Sequence, residues 1–153
     1  KCAKNPLTTS SKLVWLSIDC LNSAAIYTKS QKDAVAITQK LAAQIPVIEL
    51  GITTETAKKV IAQKKLDETS ARLLGAKAKL AAAKTAPDIA AYTKAVTAWT
   101  SAVTSYKLQI TSLTGRISKL EGAKLAATTQ PAQLTADVED SKANAKLICT
   151  KGF

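Results

Sequence analysis

Apolar residues recur at alternating steps of three and four from Ile89 to Leu120: Ile89, Tyr92, Val96, Trp99, Val103, Tyr106, Ile110, Leu113, Ile117 and Leu120. No polar residue interrupts the series, so it predicts a long helix packed along one seam against other helices. That helix is expected from Asp88 to about Ala127, roughly 60 Å at about 1.5 Å per residue. Thr85 followed by Pro87 and Asp88 reads as its N-terminal cap.

The same pattern, less cleanly, predicts its neighbours. A first helix is expected from about Lys12 to Gln44, capped by Thr9, Ser10 or Ser11, with Leu13, Leu16, Cys20, Ala24, Tyr27, Ala34, Leu41 and Ile45 inward. Gln31 and Thr38 weaken that seam, and Pro46 is expected to end it. After a connection over Pro46–Gly51, a second helix is expected from Thr53 to Ala83, in which leucines alternate with small residues: Ala62, Leu66, Thr69, Leu73, Ala76, Leu80, Ala83. Folded back on the aromatic seam about a turn near Ala86, this helix sets Leu80, Leu73 and Leu66 against Tyr92, Trp99 and Tyr106. Ala83, Ala76, Thr69 and Ala62 then meet Ile89, Val96, Val103 and Ile110. Alternating large and small layers lets helices approach closely at native packing density. Gln130-Pro131 is expected to break the chain within a loop, Thr128–Gln133, before a shorter helix over Leu134–Ile148. Asp137, Glu139 and Asp140 would then sit in its first turn, where they suit the helix dipole.

The expected fold is therefore all-α: an elongated antiparallel bundle of three long coiled-coil-like helices plus a shorter C-terminal one. A single domain is expected over 1–153, with residues 1–8 as an irregular arm. Five Gly and four Pro among 153 residues leave little scope for β-turns and support this class.

Composition then bears on compartment. The sequence has no Met and begins at Lys1, which suggests a processed chain and a removed secretion signal. Three cysteines suggest one disulfide, and structural disulfides persist mainly outside the cytosol. In an up-down-up-down bundle Cys20 and Cys149 fall in the same half, so Cys20–Cys149 is the expected pair, with Cys2–Cys149 its rival. Closing so long a loop is worth about 4–5 kcal/mol in the chain-entropy model. Cys2 is a candidate lipid anchor, although Lys1 stands where a lipoprotein cleavage rule wants a small residue. No apolar run approaches the roughly 20 residues needed to cross a bilayer, so no transmembrane segment is expected.

The net charge is +11, from 22 basic residues of which only Arg72 and Arg116 are arginine. Lysine is a hydrated point charge, and bidentate phosphate or base recognition favours arginine. Lys58, Lys65, Arg72 and Lys79 recur every seven residues and form a basic stripe beside the second helix's seam. As function, the stripe is an anion-binding rail for nucleic acid, acidic glycans or a membrane surface. As structure, it pairs with Asp33 (near Lys65) and Asp19 (near Lys79) when the first two helices fold back on each other. The aromatic seam likewise is either core or the wall of a ligand slot.

Catalysis is not expected. There is no His, no Gly-rich phosphate loop and no nucleophile elbow. No metal or cofactor site is expected either. The leading expectation is a non-enzymatic, exported helical bundle (periplasmic, surface-held or secreted) that binds a macromolecule, foremost a protein, through helix faces or the loops Pro46–Gly51 and Thr128–Gln133. A basic nucleic-acid- or polyanion-binding bundle is the alternative. A membrane-active bundle whose helices rearrange to insert is the second alternative.

Overall fold

The computed structural model describes residues 1–8 and 11–150. It contains two short strands, β1 (Cys2–Lys4) and β2 (Leu13–Trp15), and two long helices, α1 (Ile18–Ala82) and α2 (Ala86–Thr150). The chain is all-α in class, but it is a hairpin of two helices and not a bundle of three long helices and a short one. Both expected breaks are absent, because Pro46 lies inside α1 and Pro131 inside α2.

The reason lies in the spacing. The three-and-four pattern runs in frame through each proline: Leu41, Ile45, Ile48, Ile52 across Pro46, and Ala127, Pro131, Leu134, Val138 across Pro131. A helix-interior proline costs about 3 kcal/mol. The seam on either side, which keeps its register only if the helix continues, outweighs that local cost. Thr128–Gln133 and Pro46–Gly51 are accordingly helical and offer no loops.

The N-terminal expectation also needs correcting. Leu13–Trp15 is a strand and not helix, and the arm 1–8 is ordered in part by it: Cys2 pairs with Trp15, Ala3 with Val14 and Lys4 with Leu13, antiparallel. Leu16 N donates to Lys1 O at 2.9 Å and extends the ladder. Asn5-Pro6 opens a turn, with Leu7 N donating to Asn5 Oδ1 at 3.0 Å. The helix begins later than expected, with Ser17 Oγ accepting from Cys20 N at 3.0 Å as its cap. Of the caps expected, Thr9 and Ser10 lie outside the described residues and Ser11 precedes β2.

The helices divide between two compact units. Unit 1 is Lys1–Pro46 with the chain from Lys124 onward, and unit 2 is Val47–Ala123. Unit 2 holds the turn between α1 and α2, and its cap is the one the sequence suggests. Asp88 N donates to Thr85 Oγ1 at 3.3 Å, and that hydroxyl donates to Asp88 Oδ2 at 2.6 Å. Three side-chain approaches define the register there: Gly51 beside Leu120, Glu55 beside Arg116, and Arg72 over Trp99. The numbers in each pair sum to 171, one short of the 172 implied by Trp99 against Leu73.

Burial follows from there being only two helices. The buried positions in unit 2 are mostly small: Ala62, Thr69 and Ala76, with Leu113 the one large side chain. Tyr92, Trp99, Tyr106, Leu66, Leu73 and Leu80 are only half-buried. One seam between two helices can bury small layers completely, but it has no third helix to cover the far side of a large side chain. The same shortage leaves Val60, Ile61 and Leu74 more than half exposed. By length and composition one stretch of α1 could also cross a membrane, with an 18-residue window of mean hydropathy 1.2, none of it buried. Interspersed polar residues hide that stretch from a search for uninterrupted apolar runs.

Candidate functional site

The basic stripe is resolved into unlike parts. Lys58 is taken up locally: its Nζ donates to Glu55 Oε1 at 2.6 Å. Arg116 Nη1 stands 3.6 Å from Glu55 Oε2, an oxygen with no hydrogen-bond donor of its own. Glu55 continues the α1 seam three residues after Ile52, which explains why its side chain is only 13% exposed. The hydrogen bond from Lys58, with the charges of Lys58 and Arg116, holds its carboxyl below the usual carboxylate value, against the opposing effect of burial.

The pairing proposed for the rest of the stripe does not form. Asp33 is bonded to Lys29 of its own helix at 3.0 Å, and Asp33, Lys65 and Asp19, Lys79 lie on one continuous helix that does not fold back. Among the described residues, Lys65, Arg72 and Lys79 have no acidic partner within ion-pair distance.

Arg72 instead lies over Trp99, its guanidinium carbon 5.2 Å from the ring centroid, a cation–π contact. With Lys79 it rims a groove of about 350 Å³ whose remaining lining is Gly75, Ala76, Tyr92, Ala95 and Trp99. The small residues are what make room. Gly75 has no atom within 4 Å of where a Cβ would stand, so a side chain there would enter the groove without a clash. From Thr69 to Ile110 the sequence carries Arg72, Lys77, Lys79, Lys84, Lys94 and Lys107 against the single acid Asp88, a net +5. Asp88 is already bonded to Thr85. The groove is thus an electropositive, aromatic-floored slot. Chemically it suits a carboxylate, sulfate or phosphate group presented on a larger body, because guanidinium stacked on an aromatic ring keeps its N–H edge free to donate.

In unit 1, Cys20 and Cys149 form a disulfide with Cα atoms 4.6 Å apart, and Cys20 is 1% exposed. The pair is the one expected, although it joins the start of α1 to the end of α2 and not the first and fourth helices of a bundle. Cys2 is free and exposed. Asp137, Glu139 and Asp140 are exposed in the interior of α2, where no helix begins, and Glu139 is bonded to Lys142 at 3.5 Å. Among the described residues no cluster of three or more His, Cys, Asp or Glu could hold a metal ion.

Sequence reasoning found the stripe and the aromatic seam but kept them apart. The signal that joins them was present: the register that puts Leu73 opposite Trp99 puts Arg72 next to it. No family model, curated protein or solved structure matches this chain.

Proposed function

We propose that this chain is a non-enzymatic, exported helical hairpin that binds a macromolecule at the cell envelope or cell surface, and that the groove beside Arg72, Lys79 and Trp99 takes an acidic feature of a protein partner. The observation that carries the reading is the cation pair left without acids over an aromatic floor in unit 2. Lys29 and Lys58 pair with acids of their own helix. Arg72 and Lys79 do not, and they converge on one groove beside Trp99. The disulfide supports export, since such bonds persist in oxidising compartments. The exposed Val60, Ile61 and Leu74 provide apolar contact area of the kind found at partner interfaces.

The test is binding of the labelled full chain to envelope fractions before and after protease treatment, with Arg72→Ala/Lys79→Ala alongside. Loss of binding on both protease treatment and substitution is the expected result. Retention by the double variant refutes the groove as the contact.

The net +5 of the hairpin end favours one second reading, a polyanion such as an acidic glycan or nucleic acid as the ligand. It is told apart by insensitivity to protease and by an affinity that falls steeply with salt.

A further inference from the structure

We infer that the outer face of the β1–β2 pair, with the start of α1, is a docking surface for an anionic lipid bilayer. This goes beyond the partner reading and lies in unit 1, whereas the groove lies in unit 2. Directly opposed residues of an antiparallel pair share a face, and so do residues two apart along a strand. The ladder therefore puts Cys2, Trp15, Lys4 and Leu13 on one side and Ala3 with Val14 on the other.

The exposures agree with that division. Leu13 is 65% and Trp15 68% exposed, against 40% for Val14. Ile18, the first residue of α1, is 69% exposed. A strand pair in a small unit normally turns its large apolar residues inward; here Ala3 and Val14 take the less exposed side, and Leu13 and Trp15 stand outward beside Lys4.

The charge around the patch selects the occupant. Lys1 and Lys4 are exposed, and the one acid among the first twenty residues is Asp19 in the first turn of α1. A tryptophan and aliphatic side chains bordered by lysines match a bilayer interface, where an indole ring sits at headgroup level and lysines meet anionic headgroups. A second copy of the chain fits worse, because apposing two such faces brings Lys1 and Lys4 against their own copies.

The test is co-sedimentation of the full chain with vesicles of mixed phosphatidylglycerol and phosphatidylcholine, and with phosphatidylcholine alone. Binding is expected on the anionic vesicles, and Leu13→Ser/Trp15→Ser should weaken it by roughly tenfold or more, from the loss of two inserted apolar side chains. Leu108→Ser, which removes an exposed apolar residue of unit 2 away from the groove, should leave it unchanged. Tryptophan emission of the parent should shift to the blue on these vesicles. The shift should vanish in Trp15→Phe, which retains an apolar ring and still sediments.

Failure of the parent to sediment overturns the inference, as does equal sedimentation of the serine variant. It is overturned also if Arg72→Ala/Lys79→Ala abolishes vesicle binding, which places the contact in the groove. A concentration-dependent dimer that the serine substitutions dissolve would make a second copy the occupant.

Discussion

Unit 1 and unit 2 are cut from the same two helices, yet unit 1 carries both helix-interior prolines and the disulfide, and unit 2 carries neither. The seam of unit 1 is also the poorer one, with Gln31, Thr38, Pro131 and Ser141 at positions where unit 2 has Ile, Leu, Val or an aromatic. In unit 2 the departures are few: Glu55 is held by Lys58 and Arg116, Thr69 is buried and bonded to Lys65 O at 2.6 Å, and Lys59 is half-buried. The difference shows two ways of keeping a two-helix seam closed, by a covalent tie where polar residues and a proline interrupt the seam and by side-chain complementarity where the seam is almost wholly apolar. It also separates two surfaces: the tied unit presents the Trp15 face, and the packed unit presents the Arg72 groove.

The largest expected effect comes from removing the tie. Cys20→Ser/Cys149→Ser opens a loop of 129 residues, a loss of about 4–5 kcal/mol in the chain-entropy model. Chemical denaturation should show that loss as early melting of unit 1. The counterpart in unit 2 is Leu113→Ala. That side chain is 5% exposed, and the substitution should cost about 2–5 kcal/mol of unit 2 stability, read from the same denaturation curves. Pro46→Ala narrows the contrast from the other side. Pro46 is exposed and interior to α1, so alanine restores a helical hydrogen bond and should stabilise unit 1 by up to about 3 kcal/mol, seen as a higher denaturation midpoint.

Acid should act on unit 2 through Glu55. Its folded-state carboxyl lies below the ordinary 4.5, so the stability it adds is present above that value and is lost as pH falls through the lower folded value. Glu55→Gln should lack this component, so the melting temperatures of parent and variant should draw together as pH drops below 4.5. The smallest effect is expected at Gly115, where a Cβ meets nothing within 4 Å. Gly115→Ala should raise the melting temperature of unit 2 by the equivalent of about 1 kcal/mol or less.

Much of unit 2 was legible in the sequence, because Ile89 to Leu120 is a self-contained signal and Thr85 and Asp88 announce its cap. The pairing of small with large layers was legible too, since Ala62, Thr69 and Ala76 repeat at the spacing of the aromatics. The prolines misled for a physical reason. Local propensity assigns Pro46 and Pro131 to helix ends, and only following the frame across them, from Ile45 to Ile48 and from Ala127 to Leu134, shows that the seam continues. Two supposed breaks turned one hairpin into a four-helix layout. The β1–β2 pair was hidden differently: strands of three residues carry too little alternation to compete with the helical reading of Leu13 and Leu16. Of the candidate site, the lysines and Arg72 were visible as a stripe. Which of them stay without acids depended on whether α1 folds back at Pro46, which local signals misjudge.

Hydrogen–deuterium exchange on the intact chain, with the disulfide formed and then reduced, tests the division of labour most directly. On reduction, protection should fall along α1 from Cys20 to Pro46 and along α2 from Lys124 to Cys149, while the stretches from Ala62 to Ala76 and Val96 to Leu113 keep theirs. A uniform loss through both units, or no loss in unit 1, would contradict the account.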